Sequence, residues 1–227
     1  MLSSRFKGVC DKYCQGEPLW KWIRRIAALK SKKIVWDDNV ANPKNLEIFC
    51  LTVDGTDYKV NELKHETLPR DNGACSHEMK HAAAKHEIAM AVNRPKCVHV
   101  AGPFKGGTHD LEMFRQGGLK EKLQALNVKL RNFRRIKLAI VDRGCSSKKA
   151  DEKNLLSTPN SMGSKELERF KSRARLRHET FNGRLKCFGS LSAQMFRHGI
   201  DKHKFVFEAV VVTVQCQMDN GSPIFAA

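Results

Sequence analysis

The sequence predicts an α/β fold, and three observations carry that prediction. Apolar, strand-like runs at 47–53 and 137–141 each lead into an aspartate, Asp54 and Asp142, followed at once by Gly or by Arg-Gly. Apolar residues recur at helical spacing over 109–126, through Leu111, Phe114, Leu119, Leu123 and Leu126. A longer stripe of the same kind, Leu167, Phe170, Ala174, His178, Phe181, Leu185 and Phe188, steps by threes and fours.

The remaining elements follow in order. Over 1–36, Leu19, Trp22, Ile23, Ile26 and Leu29 predict a short helical lead-in ending in Lys30, Lys32 and Lys33. No second helix of a helix-turn-helix reader accompanies it. A break at 42–45, with Pro43, precedes the strand at 47–53. Gly55-Thr56-Asp57 reads as a turn into a second strand at 58–61, and 64–82 as a polar, His-rich loop. The runs 88–92 and 97–100 flank Asn93-Arg94-Pro95-Lys96, a hairpin pattern. The Gly-rich stretch 102–107 reads as a turn, and Gly117-Gly118 as an interruption of the following helix. The stretch 120–137 carries seven basic residues against one acidic residue. The run 137–141 is nearly all apolar, as in a strand buried on both faces. A polar loop at 145–163 ends at Ser164, a suitable N-cap, with Glu166 and Glu168 in the next turn. The β-branched segment 205–218 fits helix or strand equally by periodicity.

Composition narrows the function. The chain has 227 residues, 41% of them hydrophobic, enough for one compact domain with a core. A net charge of +17 points to an anionic partner, nucleic acid first and an anionic membrane surface second. The longest apolar run, 205–214, contains Glu208 and is too short to span a bilayer, and the N-terminus lacks the apolar stretch of a secretory signal. Eight cysteines without a CxxC pair read as reduced thiols of a cytosolic or nuclear protein, and argue against a zinc site. The stretch 102–110 lacks the Gly-Lys-Ser/Thr ending of a P-loop. His77, His81 and His86 read as loosely spaced on a loop, without ligand spacing, and His178 falls on the apolar stripe as a packed histidine.

Three acids stand out in this basic chain: Asp54, Asp142 and Glu179. Strand-end aspartates and a helix-borne glutamate suit a divalent-metal phosphodiester site, because hard oxygen donors hold magnesium and two such ions serve in-line displacement. Asp54 would bridge the ions, with Asp142 and Glu179 completing either side. Asp110 is either a further oxygen ligand or a helix N-terminal charge. Arg175, Asn182, Gly183 and Lys186 share the helical face of Glu179 and, with Arg143, suit a phosphate backbone. The plainer reading is that Glu179 pairs with Arg175, and that each aspartate before glycine forms a turn.

The motifs Thr52-Val-Asp-Gly-Thr-Asp57, Gly102-Pro-Phe…Gly107-Thr-His-Asp110…Phe114-Arg115, Val141-Asp-Arg-Gly144, Arg173-Ala-Arg-Leu-Arg-His-Glu-Thr-Phe-Asn-Gly-Arg-Leu-Lys186, Phe196-Arg-His198 and Asn220-Gly-Ser-Pro-Ile-Phe225 together resemble the DDE superfamily endonuclease domain of Harbinger-type transposases (DDE transposase family 4-like), over roughly 34–225. The resemblance implies an RNase H-like fold, a central mixed β-sheet flanked by helices, with 203–218 helical. It implies a lead-in at 1–36 and a catalytic domain at 37–227. It implies a nuclear, Mg2+-dependent nuclease, with Mn2+ as the alternative ion, that cuts DNA at transposon ends and transfers the 3′-OH to target DNA. By position the triad falls on Asp54, Asp142 and Glu179, and Asp110 matches the family's His-Asp motif. His99 and Cys145 depart from the aromatic residues usual there. Such proteins commonly carry a DNA-binding region ahead of the core, where this chain has about 35 residues. That difference leaves three expectations: a truncated copy, a partial gene model, or one component that relies on a separate DNA-binding protein. The expected partners are DNA and either that protein or a second copy of the chain (a homo-oligomer), and the alternative function is a catalytically inactive or truncated transposase-derived nucleic-acid-binding protein.

Overall fold

A computed structural model describes residues 49–61, 72–92, 94–129, 139–142, 145, 147, 149–158, 165–193, 196 and 198–224. The expected lead-in at 1–36, Ser164 and Arg143 lie outside the described residues. The described strands form one sheet: β1 (Leu51–Lys59), β2 (Ala83–Ala91), β3 (Cys97–Lys105), β4 (Ala139–Ile140) and β5 (Leu156–Ser157), in the order β3-β2-β1-β4-β5. β1, β2 and β3 pair antiparallel, and β4 pairs parallel with both β1 and β5. The helices are α1 (Asp110–Gln116), α2 (Leu119–Lys129), α3 (Ala150–Lys153), α4 (Lys165–Lys186) and α5 (Ile200–Asp219). The chain is thus α/β, a mixed sheet flanked by helices. Among the described residues no helix is long and apolar enough to cross a membrane.

The period of two in β1 assigns the two faces. Leu51 and Val53 pack with Phe114, Leu119 and Leu123 of α1 and α2. Tyr58, together with Ile88 and Met90, packs under Phe181 and Leu185 of α4 and Phe207, Val210, Val211 and Val214 of α5. Phe114, Phe181 and Phe207 are completely buried, each worth about 1.5–3 kcal/mol of transfer free energy. β4 is buried on both faces, as its composition predicts: Ala139 and Val141 join the α1–α2 side, and Ile140 packs with Leu167 and Ala174 of α4.

Several boundaries differ from the sequence reading. Gly55-Thr56-Asp57 is not a turn, because β1 runs through it and pairs with β2 at every residue from Leu51 to Lys59. Gly55 serves close approach instead: a Cβ there would sit 2.8 Å from Met113 Cε and 2.9 Å from Asp110 Oδ1. Asp54 therefore lies inside a strand rather than at its end. The stretch 102–107 is strand as far as Lys105, with a cis Gly102-Pro103 bond and a positive φ of 118° at Gly102. Proline is tolerated there because the β2–β3 register shifts between Lys85 and Glu87 and leaves Pro103 without a partner on β2. His86 belongs to β2, not to a loop, and is buried. The expected loop at 145–163 contains α3 and β5. The segment 205–218 is helical, since its apolar residues bury one side of α5 against β3 and α4.

Candidate functional site

The separation that pairs Leu51 with Ala139 and Thr52 with Ile140 is 88 residues, and the same 88 residues separate Asp54 from Asp142. Continued two residues past the β4 ladder, the register brings Asp142 level with Asp54 on the neighbouring strand. Asp54 is half-buried. Its Oδ1 accepts from the Gly55 N–H at 3.0 Å, and its Oδ2 accepts from Asn182 Nδ2 at 3.0 Å. Burial, then the nearby Asp110 and Asp142 carboxylates, push its carboxyl up to about 7, against the opposing pull of Arg175 and the Gly55 N–H. The positive charge near Asp54 falls short of what its ionised form requires.

Asp142 follows β4, and its carbonyl accepts from the Cys145 N–H at 3.1 Å. Its Oδ1 lies 3.3 Å from Arg175 Nη1, and Arg175 Nη2 lies 4.0 Å from Glu179 Oε1, one turn along α4. One guanidinium therefore spans the second and third acids. Glu179 is 57% exposed on the outer face of α4, so its side chain is free of packing restraint. His178, its neighbour, points inward, with Nδ1 2.9 Å from Thr52 Oγ1. Burial brings the His178 imidazole down to about 3, so it stays neutral and packed, as the stripe predicts.

Asp110 opens α1 and approaches β1 above Gly55, whose side-chain direction is opposite to that of Asp54. Its Oδ1 is 2.9 Å from Lys85 Nζ on β2, and Lys85 also lies 3.9 Å from Asp57. Asp57 is buried and accepts from Ser76 Oγ. The structure thus gives Asp110 a resident cation. Of the residues expected to face nucleic acid, Lys186 is exposed, Arg175 is engaged with the acids, and Asn182 is buried with its amide on Asp54. Arg143 lies outside the described residues.

Sequence reading missed the roles of Asn182 and Lys85. Asn182 stands four residues after His178 and one after Phe181, inside the buried arc of α4, which was the available signal. Lys85 was hidden because Lys85-His86-Glu87 is a run of three polar residues without the apolar alternation that marks a strand, yet β2 runs through it.

The donors at Asp54, Asp142 and Glu179 are carboxylate oxygens, the type a hard divalent cation takes, and Asn182 Oδ1 is a buried oxygen with no hydrogen-bond partner. With Arg175 between two of the acids, no three His, Cys, Asp or Glu side chains among the described residues stand close enough together to hold a metal ion. The chain matches no protein-family model, no curated protein and no solved structure.

Proposed function

We propose that the protein is an RNase H-like, metal-dependent DNA endonuclease of transposase type, which cuts phosphodiester bonds at transposon ends and transfers the freed 3′-OH to target DNA. The observation that carries this reading is the shared 88-residue offset: Asp142, two residues past β4, stands in the same register to Asp54 as β4 does to β1, and Arg175 links Asp142 to Glu179 on α4. The sheet order, three antiparallel strands continued by parallel ones, supports the RNase H-like assignment. The resemblance of the motifs to Harbinger-type transposases supplies the substrate and the strand-transfer step.

In this reading Asp54, Asp142 and Glu179 would hold Mg2+ or Mn2+, with Asp110 a further acid that pairs with Lys85 and still acts on Asp54. Bound divalent ions supply an activated water and a stabilised leaving oxygen. Asn182 fixes the Asp54 carboxylate through its second oxygen. Arg175 keeps Asp142 and Glu179 from repelling each other and presents a guanidinium beside the strand to be cut. Lys186, two turns from Glu179, contributes to backbone binding.

A supercoiled plasmid nicking assay with Mg2+ or Mn2+ tests it. Asp54→Asn, Asp142→Asn and Glu179→Gln should each lower nicking by about 100-fold or more, while salt-sensitive DNA binding persists. Three variants that cut like the parent would sink the site assignment. A second reading, a nucleic-acid-binding protein that does not cut, draws on one observation: Arg175 already serves as counter-ion to Asp142 and Glu179. It predicts metal-independent binding and no nicking with either ion.

A further inference from the structure

Glu152 is completely buried, yet it sits on α3, a helix of only four residues. Three elements converge on its carboxylate. From α1, Arg115 donates twice, Nε to Oε1 at 3.0 Å and Nη2 to Oε2 at 3.0 Å. From α2, Lys120 Nζ donates to Oε1 at 2.8 Å. From the segment that follows Asp142, Ser147 Oγ donates to Oε2. Ser147 Oγ in turn accepts the Lys149 N–H at 3.1 Å.

The position of this hub matters more than its strength. A buried ion pair is a poor source of net stability compared with apolar packing, but it imposes one geometry on the groups that share it. Asp142 leaves the sheet just after the last ladder bond, Val141 N–H to Ser157 C=O at 3.0 Å. Beyond it, among the described residues, the chain is held by the Cys145 N–H on the Asp142 carbonyl, by the buried Cys145 side chain in the core with Phe114, and by Ser147 on Glu152. Arg115 belongs to the helix that begins at Asp110. One carboxylate thereby ties the segment carrying Asp142 to the helix carrying Asp110.

We propose that Glu152 is a positioning residue for Asp142: the Arg115–Glu152–Lys120 cluster grips the chain at Ser147, five residues past Asp142, and sets the direction in which Asp142 leaves β4. The positioning role rests on the function proposed above, whereas the grip on the segment does not. Cys145, buried three residues past Asp142, is a built-in reporter; Cys50, which shares its core cluster, and Cys97 and Cys216, buried outside that cluster, are its controls.

The experiment is iodoacetamide labelling of the folded full chain, read cysteine by cysteine by mass spectrometry, for the parent, Glu152→Gln and the milder Arg115→Lys. Cys145 should label about tenfold faster in Glu152→Gln and by a smaller factor in Arg115→Lys, with the three control thiols as protected as in the parent. Unchanged Cys145 protection overturns the grip. If all four thiols become reactive together in both variants, Glu152 is a general stability element and the local grip is overturned too. The second arm titrates Mg2+ in plasmid nicking, where Glu152→Gln should need about tenfold more Mg2+ for half-maximal rate yet approach the parent's rate at saturation, with Arg115→Lys between the two. A faster Cys145 with an unmoved Mg2+ requirement overturns the positioning role. A parent that nicks with neither Mg2+ nor Mn2+ overturns the proposed function and the positioning role with it, while the labelling still decides the grip.

Discussion

Asp54 on β1 and Glu152 on α3 are both shielded carboxylates, and their surroundings drive them in opposite directions. Glu152 is met by a bidentate arginine, a lysine and a hydroxyl, and Arg115 first among these holds its carboxyl well below the usual range. Asp54 is met by one backbone N–H and one amide, and burial with two neighbouring acids drives its carboxyl up to about 7. The first charge is satisfied from within the fold. The second is countered only in part, by the Arg175 guanidinium and the Gly55 N–H. A satisfied buried acid organises structure, whereas an under-compensated one marks a place where a ligand is expected.

The largest effect that can break this comparison is Asp54→Asn, which should move activity and stability in opposite directions. Nicking should fall by about 100-fold or more, as for the other two acids. Stability in EDTA should rise. The folded carboxyl titrates near 7 and the unfolded one near 3.8, so between those values the folded state binds the extra proton and parent stability falls as pH rises. The variant should match the parent near pH 4 and exceed it by on the order of 2 kcal/mol above pH 7, measured by urea unfolding. Equal stability across that range would show that Asp54 carries no uncompensated charge.

Glu152→Gln comes next, with the opposite pH signature. Its depressed carboxyl contributes stability above the unfolded value of 4.5, and that contribution is lost as pH falls through the folded value. The variant should therefore melt several degrees below the parent at pH 7, with the gap closing as both are acidified. A gap that persists unchanged at pH 3 would mean the loss comes from packing rather than from the charge.

Asn182→Ala has a smaller expected effect. It removes the one side-chain donor seen on Asp54 among the described residues and should push that carboxyl higher still, since a donor to the ionised form lowers it. Nicking should drop about tenfold at pH 7 and recover partly by pH 8.5, because a hydrogen bond to a charged group is worth about 1.5–3 kcal/mol. A drop that is the same at both pH values would assign Asn182 to backbone contact, as its place on the face of Glu179 first suggested.

These contrasts bear on what the sequence could reveal. The elements with long periodic patterns, the hairpin, the helix pair around Gly117-Gly118 and α4, were legible because burial selects every residue along them. The residue types of the trio were legible too, since acids stand out in a basic chain. Of their partners only Arg175, one turn before Glu179, was. That Asn182 turns inward to Asp54 depends on how α4 is rotated over β1, and that Lys85 reaches Asp110 depends on β2 pairing through Gly55. Both are long-range facts that no local pattern encodes. Glu152 was hidden for a further reason: a four-residue helix and a two-residue strand are too short to show any period, so 145–163 reads as loop.

Gly55→Ala should give the smallest effect and the sharpest test of how the two sides of β1 are separated. The new methyl would sit 2.8 Å from Met113 Cε, 2.9 Å from Asp110 Oδ1 and 3.0 Å from Lys85 Cε. All three are far ends of side chains, and the Met and Lys stems are flexible, so relaxation is cheap. Strand alanine also recovers about 0.5–1 kcal/mol of backbone entropy relative to glycine. The net loss should be about 1 kcal/mol by urea unfolding, below the usual range for overpacking. Because the methyl points away from Asp54, the pH dependence of stability that Asp54 generates should survive, while the Lys85–Asp110 contact is pushed apart. If the substitution instead abolishes that pH dependence, Asp110 and Asp54 act as one electrostatic unit across the strand, and Asp110 belongs with the trio rather than with Lys85.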